Sequence, residues 1–151
     1  MESQPPEHAP DLPVGVEAME HTADLGLLVR APSLEELFRR AAAGMLALME
    51  DTSPPAGSSS EDSEARPISL EAVDADTLLV QWLRELLYLY QVGGCAYSGV
   101  EFDHLSPQRL EGRIRCRDAG PGVREIKGVT YHDLEVTSSE GEWRARVVFD
   151  V

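Results

Sequence analysis

Residues 20–26 read Glu20-His21-Thr22-Ala23-Asp24-Leu25-Gly26, which gathers carboxylates, an imidazole and a hydroxyl beside a glycine that permits close backbone approach. Carboxylate oxygens suit hard divalent cations, and a nearby imidazole suits metal-assisted hydrolysis. The same residues also suit an Asx- or ST-type turn in which Thr22 and Asp24 only satisfy backbone N–H groups. A second constellation closes the sequence at Val147-Val148-Phe149-Asp150-Val151. Alternation puts Asp150 on the polar face of a strand, and Val151 is read as adding an α-carboxylate beside it. Two adjacent negative groups repel unless a cation or a basic side chain compensates. If Asp24 meets Asp150 in space, three carboxylates converge on an oxygen-only site for Ca²⁺, Mg²⁺ or Mn²⁺.

The third constellation is Ile126-Lys127-Gly128-Val129-Thr130-Tyr131-His132-Asp133. Lys127 is the only lysine, set against twelve arginines. Lysine presents a compact ammonium to a phosphate or carboxylate, whereas arginine imposes a planar fork. The plain alternative is a solvated strand lysine, and His132 equally suits a strand histidine bonded to a neighbour. Asp24, Asp150, His21 and His132 are the parts of a metal-dependent phosphoesterase. No Ser-His-Asp ordering, Gly-rich phosphate loop or His-Glu-x-x-His pattern accompanies them. His8 and His104 are assigned no role.

These groups need a scaffold. Ser33-Leu34-Glu35-Glu36 is a capping box, and Leu34, Leu37, Phe38, Ala41, Met45, Leu48 and Met49 follow at helical spacing. A second helix starts near Asp74 or Asp76 and stops at Gly93-Gly94. Its run from Leu78 to Tyr90 is apolar nearly all round, which predicts a central buried helix with its aromatics as core anchors. Strands are expected at 15–21, 25–30, 67–73, 97–105, 109–117, 124–136 (whole or broken at Gly128) and 143–151, from period-two alternation. This order predicts an α+β fold, a mostly antiparallel β-sheet with two α-helices packed on it, in a single compact domain spanning 14–151. Residues 1–13 read as a disordered Pro-rich tail, and 51–67 as a mobile acidic loop.

A net charge of −14 and a pI near 4.5 exclude binding nucleic acid through the overall field. No basic stripe is legible, so any RNA is expected to be held by a basic partner. Cys95 and Cys116 form no Cys-x-x-Cys pair and read as buried reduced thiols, which suits a cytosol. No apolar run reaches the roughly 20 residues that span a bilayer, and the polar, acidic start is no signal peptide. A cytoplasmic protein without membrane contact is the expectation.

Together the pieces resemble the archease family. The resemblance rests on His21-Thr22-Ala23-Asp24-Leu25-Gly26, the helix from Ser33-Leu34-Glu35-Glu36-Leu37-Phe38 to Met49, Leu79-Val80-Gln81-Trp82-Leu83-Arg84-Glu85-Leu86-Leu87-Tyr88, Ile126-Lys127-Gly128-Val129-Thr130-Tyr131-His132, and the terminal Val147–Val151. It implies a small acidic protein acting with the RNA-splicing ligase RtcB, which joins a 3′-phosphate or 2′,3′-cyclic phosphate RNA end to a 5′-hydroxyl. That ligase uses GTP, Mn²⁺ and a guanylylated histidine. The resemblance implies that the chain promotes guanylylation and turnover and broadens nucleotide use without being the ligase. It further implies a divalent-cation site at Asp24, Asp150 and Val151, with Ca²⁺ a common occupant in crystals, a functional lysine at Lys127, and His21, Thr22 and His132 as supporting groups. Leu25, Gly128 and Val151 stand where the family often has isoleucine, alanine and isoleucine. None of these departures removes a ligand.

Three readings follow: an activator of an RNA ligase that reaches tRNA or broken RNA only through that ligase, a metal-dependent phosphoesterase, and a general binding or chaperone-like module.

Overall fold

The computed structural model describes residues 12–20, 24–50 and 65–151. The expectations for the tail up to residue 11, for His21, Thr22 and Ala23, and for 51–64 lie outside the described residues.

Among the described residues, seven strands and two helices follow in the order β1 (Val16–Glu20), β2 (Asp24–Ala31), α1 (Leu34–Met49), β3 (Arg66–Glu71), α2 (Ala75–Gly93), β4 (Cys95–Ser106), β5 (Arg109–Asp118), β6 (Gly128–Ser139) and β7 (Glu142–Asp150). Each pairing among these strands is antiparallel, but they form two sheets, β1-β2-β7-β6 and β3-β5-β4. The expectation of one sheet did not separate these groups, because alternation reports which face is buried and not which strand lies alongside. Local turns do much of the sorting. Ser106 pairs with Arg109 across a two-residue turn, and Ser139 pairs with Glu142 across Glu140-Gly141. Both Glu140 (φ 51°) and Gly141 (φ 78°) take the left-handed conformation that a twisted two-residue hairpin requires.

The helices join the two sheets into one core. α1 packs on β2 and on β4, while α2 packs on β6 and on β4. The Ser33 hydroxyl accepts the Glu36 N–H at 3.1 Å, but Glu36 turns outward to Arg40 (3.5 Å), so only half of the capping box forms. Asp74 caps α2 by accepting the Thr77 N–H at 2.8 Å, and Gly94 ends it in the left-handed region (φ 65°). Trp82 is fully buried against Phe38, Tyr97 and Phe102, and its indole N–H donates to the Phe38 carbonyl at 3.0 Å. Truncating so large a buried side chain costs about 3–5 kcal/mol.

Two expectations need correction. The last turns of α2 are not buried all round: Tyr88 is 57% and Val92 68% exposed, so Tyr88 is no core anchor. Cys95 and Cys116 are buried, as expected, but bonded as a disulfide. The β4–β5 pairing sets Cys116 opposite Tyr97, two residues from Cys95, and brings the two Cα atoms within 5.0 Å. A cross-strand bridge leaves no spacing motif in the sequence, and the inference of reduced thiols falls with it.

Candidate functional site

The register of the central strand pair decides whether the opening hairpin meets the end of the chain. β2 and β7 pair along their full length, from Ala31 opposite Trp143 to Asp24 opposite Asp150. Leu25, Leu27 and Val29 face the core together with Ala145, Val147 and Phe149. A slip of one residue would turn these side chains to solvent and bury Asp150, so the hydrophobic pattern locks the register. On its other side Asp150 pairs with Gly128 of β6, and its carbonyl accepts the Lys127 N–H at 2.7 Å. The backbone at Asp24, at Lys127-Gly128 and at Asp150 therefore lies in one row across the end of this sheet. Lys127 and Asp150 are exposed, and Val151 is 42% exposed.

Lys127 is placed by contacts far from it in sequence. Glu50, 2% exposed at the end of α1, accepts the Gly120 N–H at 2.8 Å and Arg117 Nη2 at 2.8 Å. The Tyr90 hydroxyl also hydrogen-bonds Glu50, and burial together with that carboxylate pushes its pKa above the ordinary value. The Met49 carbonyl accepts the Val123 N–H (2.8 Å) and the Arg124 N–H (3.3 Å). Past this clamp Ile126 is buried, with its carbonyl held by Gln91 Nε2 at 3.0 Å, and Lys127 follows into the row with Asp150.

An open cleft of about 520 Å³ lies beside the row, between α2 and β6. Lys127, Asp150, Arg84, Tyr88, Gln91 and Tyr131 are among its walls. Arg84 donates from Nε (3.0 Å) and Nη2 (2.8 Å) to the Val129 carbonyl and lies 4.6 Å over the Tyr131 ring. β6 is an edge strand, and side chains of α2 cap its backbone where a further strand would otherwise pair. Arg84 does so at Val129, and Asp76 accepts the Val136 N–H at 3.4 Å with its pKa raised by desolvation, while Gln91 holds the Ile126 carbonyl just ahead of the strand. The sequence reading passed over Arg84, Tyr88, Gln91 and Tyr131. The available signal was polar Arg84 and Gln91, seven residues apart on one face of the second helix.

His132 does not join the row. Between Thr130 and Glu135 the β6–β7 register shifts, and the bulge includes Asp133 at φ 53°. His132 Nε2 lies 3.2 Å from Asp133 Oδ2, and both line a small separate hollow with Met19, Gly26, Arg146 and Val148. Asp150 lines the larger cleft instead. His21 and Thr22 are outside the described residues. Among the described residues no group of three or more His, Cys, Asp or Glu is disposed to hold a metal. That statement covers Asp150 but not the Asp24 side chain, which is outside the described atoms. Aspartates at directly opposed positions of neighbouring strands, 24 and 150, are like charges that destabilise a sheet unless something compensates them.

The family model described as Archease protein family matches residues 17–151. A protein archease of Methanosarcina mazei is 34% identical over 143 residues, covering 89% of this chain and 94% of the relative. One from Methanothermobacter thermautotrophicus is 31% identical over 145 residues, covering 91% of this chain and 99% of the relative. Among solved structures, the solution structure of Methanobacterium thermoautotrophicum protein 1598 superposes with a TM-score of 0.71 at 31% identity, covering 91% of this chain and 99% of that one. The crystal structure of an archease, "possible chaperone", from Thermotoga maritima has the same fold, with a TM-score of 0.57 at 22% identity over 89% of this chain and 96% of that one.

Proposed function

The chain belongs to the archease family, and from that membership we propose that it is a non-catalytic protein cofactor of the RNA-splicing ligase RtcB. In this reading it promotes guanylylation of the ligase, sustains multiple turnover and broadens nucleotide use. The observation that carries the reading is the row at the end of the first sheet, where Asp24 is paired with Asp150 and Lys127 is hydrogen-bonded to the Asp150 backbone.

Asp24, Asp150 and Val151 would hold a divalent cation, Ca²⁺, Mg²⁺ or Mn²⁺, which when bound supplies positive charge for phosphate or carboxylate oxygens. Lys127 is exposed and lines the cleft, where its ammonium would meet a nucleotide phosphate or a carboxylate of the ligase. Arg84 braces the wall by clamping the Val129 carbonyl and Tyr131 together. The net charge of −14 favours docking on a basic partner. A protein partner is in keeping with the words "possible chaperone" used of the Thermotoga maritima protein. No helix among the described residues is long and apolar enough to cross a membrane, and we place the activity in the cytoplasm with the ligase.

The phosphoesterase reading gains nothing from the geometry, because His132 and Asp150 line different hollows. The test mixes the ligase, GTP and Mn²⁺ with the wild-type chain or with Asp24→Ala, Asp150→Ala or Lys127→Ala. Stimulated guanylylation by the wild type, reduced at least tenfold in each folded variant, is expected. Full stimulation by all three variants would overturn the assignment.

A further inference from the structure

The outer face of the four-stranded sheet changes sign along its length. At one end lies the Asp24–Asp150 row, and toward the other β2 and β7 bring three arginines together. Arg30 is directly opposite Arg144, and Arg146 follows two residues along β7, opposite Leu28 on one side and Glu135 on the other. Sequence reading found no basic stripe because Arg30 lies more than a hundred positions from Arg144; pairing of the strands creates one.

Like charges directly opposite on neighbouring strands destabilise a sheet. Arg144 is partly neutralised by Glu142 at 2.7 Å, with 60% of its side chain exposed. Among the described residues no carboxylate comes within 4.0 Å of the Arg30 or Arg146 guanidinium. The three arginines, with Thr137 and Glu135, rim a depression of about 310 Å³. Concave shape and three clustered arginines, with the carboxylates of Glu135 and Glu142 nearby, thus coincide on a chain that is otherwise strongly acidic.

We propose that this face binds the phosphate backbone of single-stranded RNA, an inference that rests on the ligase-activator reading. Guanidinium forks match phosphate oxygens bidentately. Arg144 and Arg146 are about 7 Å apart along the strand, given a rise of roughly 3.4 Å per residue. That spacing is comparable with successive phosphates of an extended strand. Thr137 and Glu135 place a hydroxyl and a carboxylate acceptor where ribose hydroxyls would pass. Asp150 is four residues beyond Arg146, about 14 Å, which exceeds the Debye length of roughly 8 Å at physiological salt. The acidic row therefore does not cancel the arginines. An RNA end held at the ligase's reaction centre, with the Asp24–Asp150 row nearby, would run back across this face.

The experiment measures fluorescence anisotropy of a labelled ten-nucleotide RNA against the isolated protein at low salt. The wild type is expected to bind, with log K falling against log salt at a slope near −2, from three phosphates at about 0.7 each. The Arg30→Ala/Arg144→Ala/Arg146→Ala variant is expected to lose at least tenfold and most of that slope. The single Arg146→Glu variant serves as the probe if the triple variant unfolds. Equal RNA binding by wild type and variants overturns the proposal, as does a poly-glutamate peptide displacing the RNA as well as unlabelled RNA does. Ligase guanylylation without RNA, run in parallel, reports on the activator reading separately. Failure of the wild type to stimulate it contradicts that reading, while the anisotropy still decides the arginine face.

Discussion

Replacing Glu50 by alanine removes a carboxylate that ties α1, α2, β5 and the 119–126 segment together. Its oxygens accept Arg117 Nη2 and the Gly120 N–H, each at 2.8 Å, and the Tyr90 hydroxyl bonds to it. Glu50 and Arg117 are only 2% and 15% exposed, so water replaces little of what is lost. Breaking a buried pair from one side costs about 3–5 kcal/mol, chiefly because the surviving charge stays desolvated. With a urea dependence near 2 kcal/mol/M for a chain of this size, the unfolding midpoint should fall by roughly 2 M. Arg117→Met on its own should cost a similar amount, whereas Glu50→Leu with Arg117→Met should recover most of the loss. Amide exchange should also quicken at Val123, Arg124 and Lys127, whose N–H groups are held by the Met49 and Asp150 carbonyls next to the clamp. A Glu50→Ala cost below about 1 kcal/mol, or strictly additive single variants, would refute the clamp.

Other outcomes follow from local geometry. Changing Cys95 and Cys116 to serine opens a bridge of sequence separation 21, worth about 3 kcal/mol, so the melting temperature should drop by roughly 6–12 °C in calorimetry. Gly128→Ala meets no atom within 4 Å and should leave stability unchanged or raised by about 0.5 kcal/mol, with guanylylation retained. In an ultraviolet titration, Tyr90 and Tyr97 should ionise at higher pH in the folded protein than in the unfolded chain. Burial raises the pKa of both Tyr90 and Tyr97 above the unfolded value near 10. Their contribution to stability is therefore complete below pH 10 and is lost as pH rises through the higher folded values. Ionisation of Tyr90 and Tyr97 near pH 10, without unfolding, would contradict this.

Much of the scaffold was legible because it obeys local rules. Ser33 and Asp74 announce the two helix starts, Gly94 the end of α2, and alternation through Leu110–Cys116 and Ala145–Phe149 marks the strands and their buried faces. The meeting of Asp24 with Asp150 was a conjecture from sequence, and the β2–β7 register supplies its backbone half. What could not be read depends on distant pairing. Glu50 meets Arg117 and Gly120 across 67 and 70 positions, and the disulfide crosses two neighbouring strands. The division into two sheets and the arginine face have the same origin. The cleft was missed for another reason: the apolar run of α2 hid the exposure of Tyr88.

The most direct measurement of the central claim is a Mn²⁺ titration followed by amide relaxation along the whole chain. Selective broadening at Asp24, Lys127, Gly128, Asp150 and Val151, lost in Asp24→Asn and Asp150→Asn, is the expected result. Broadening scattered over the 27 acidic residues, or centred elsewhere, would contradict the account.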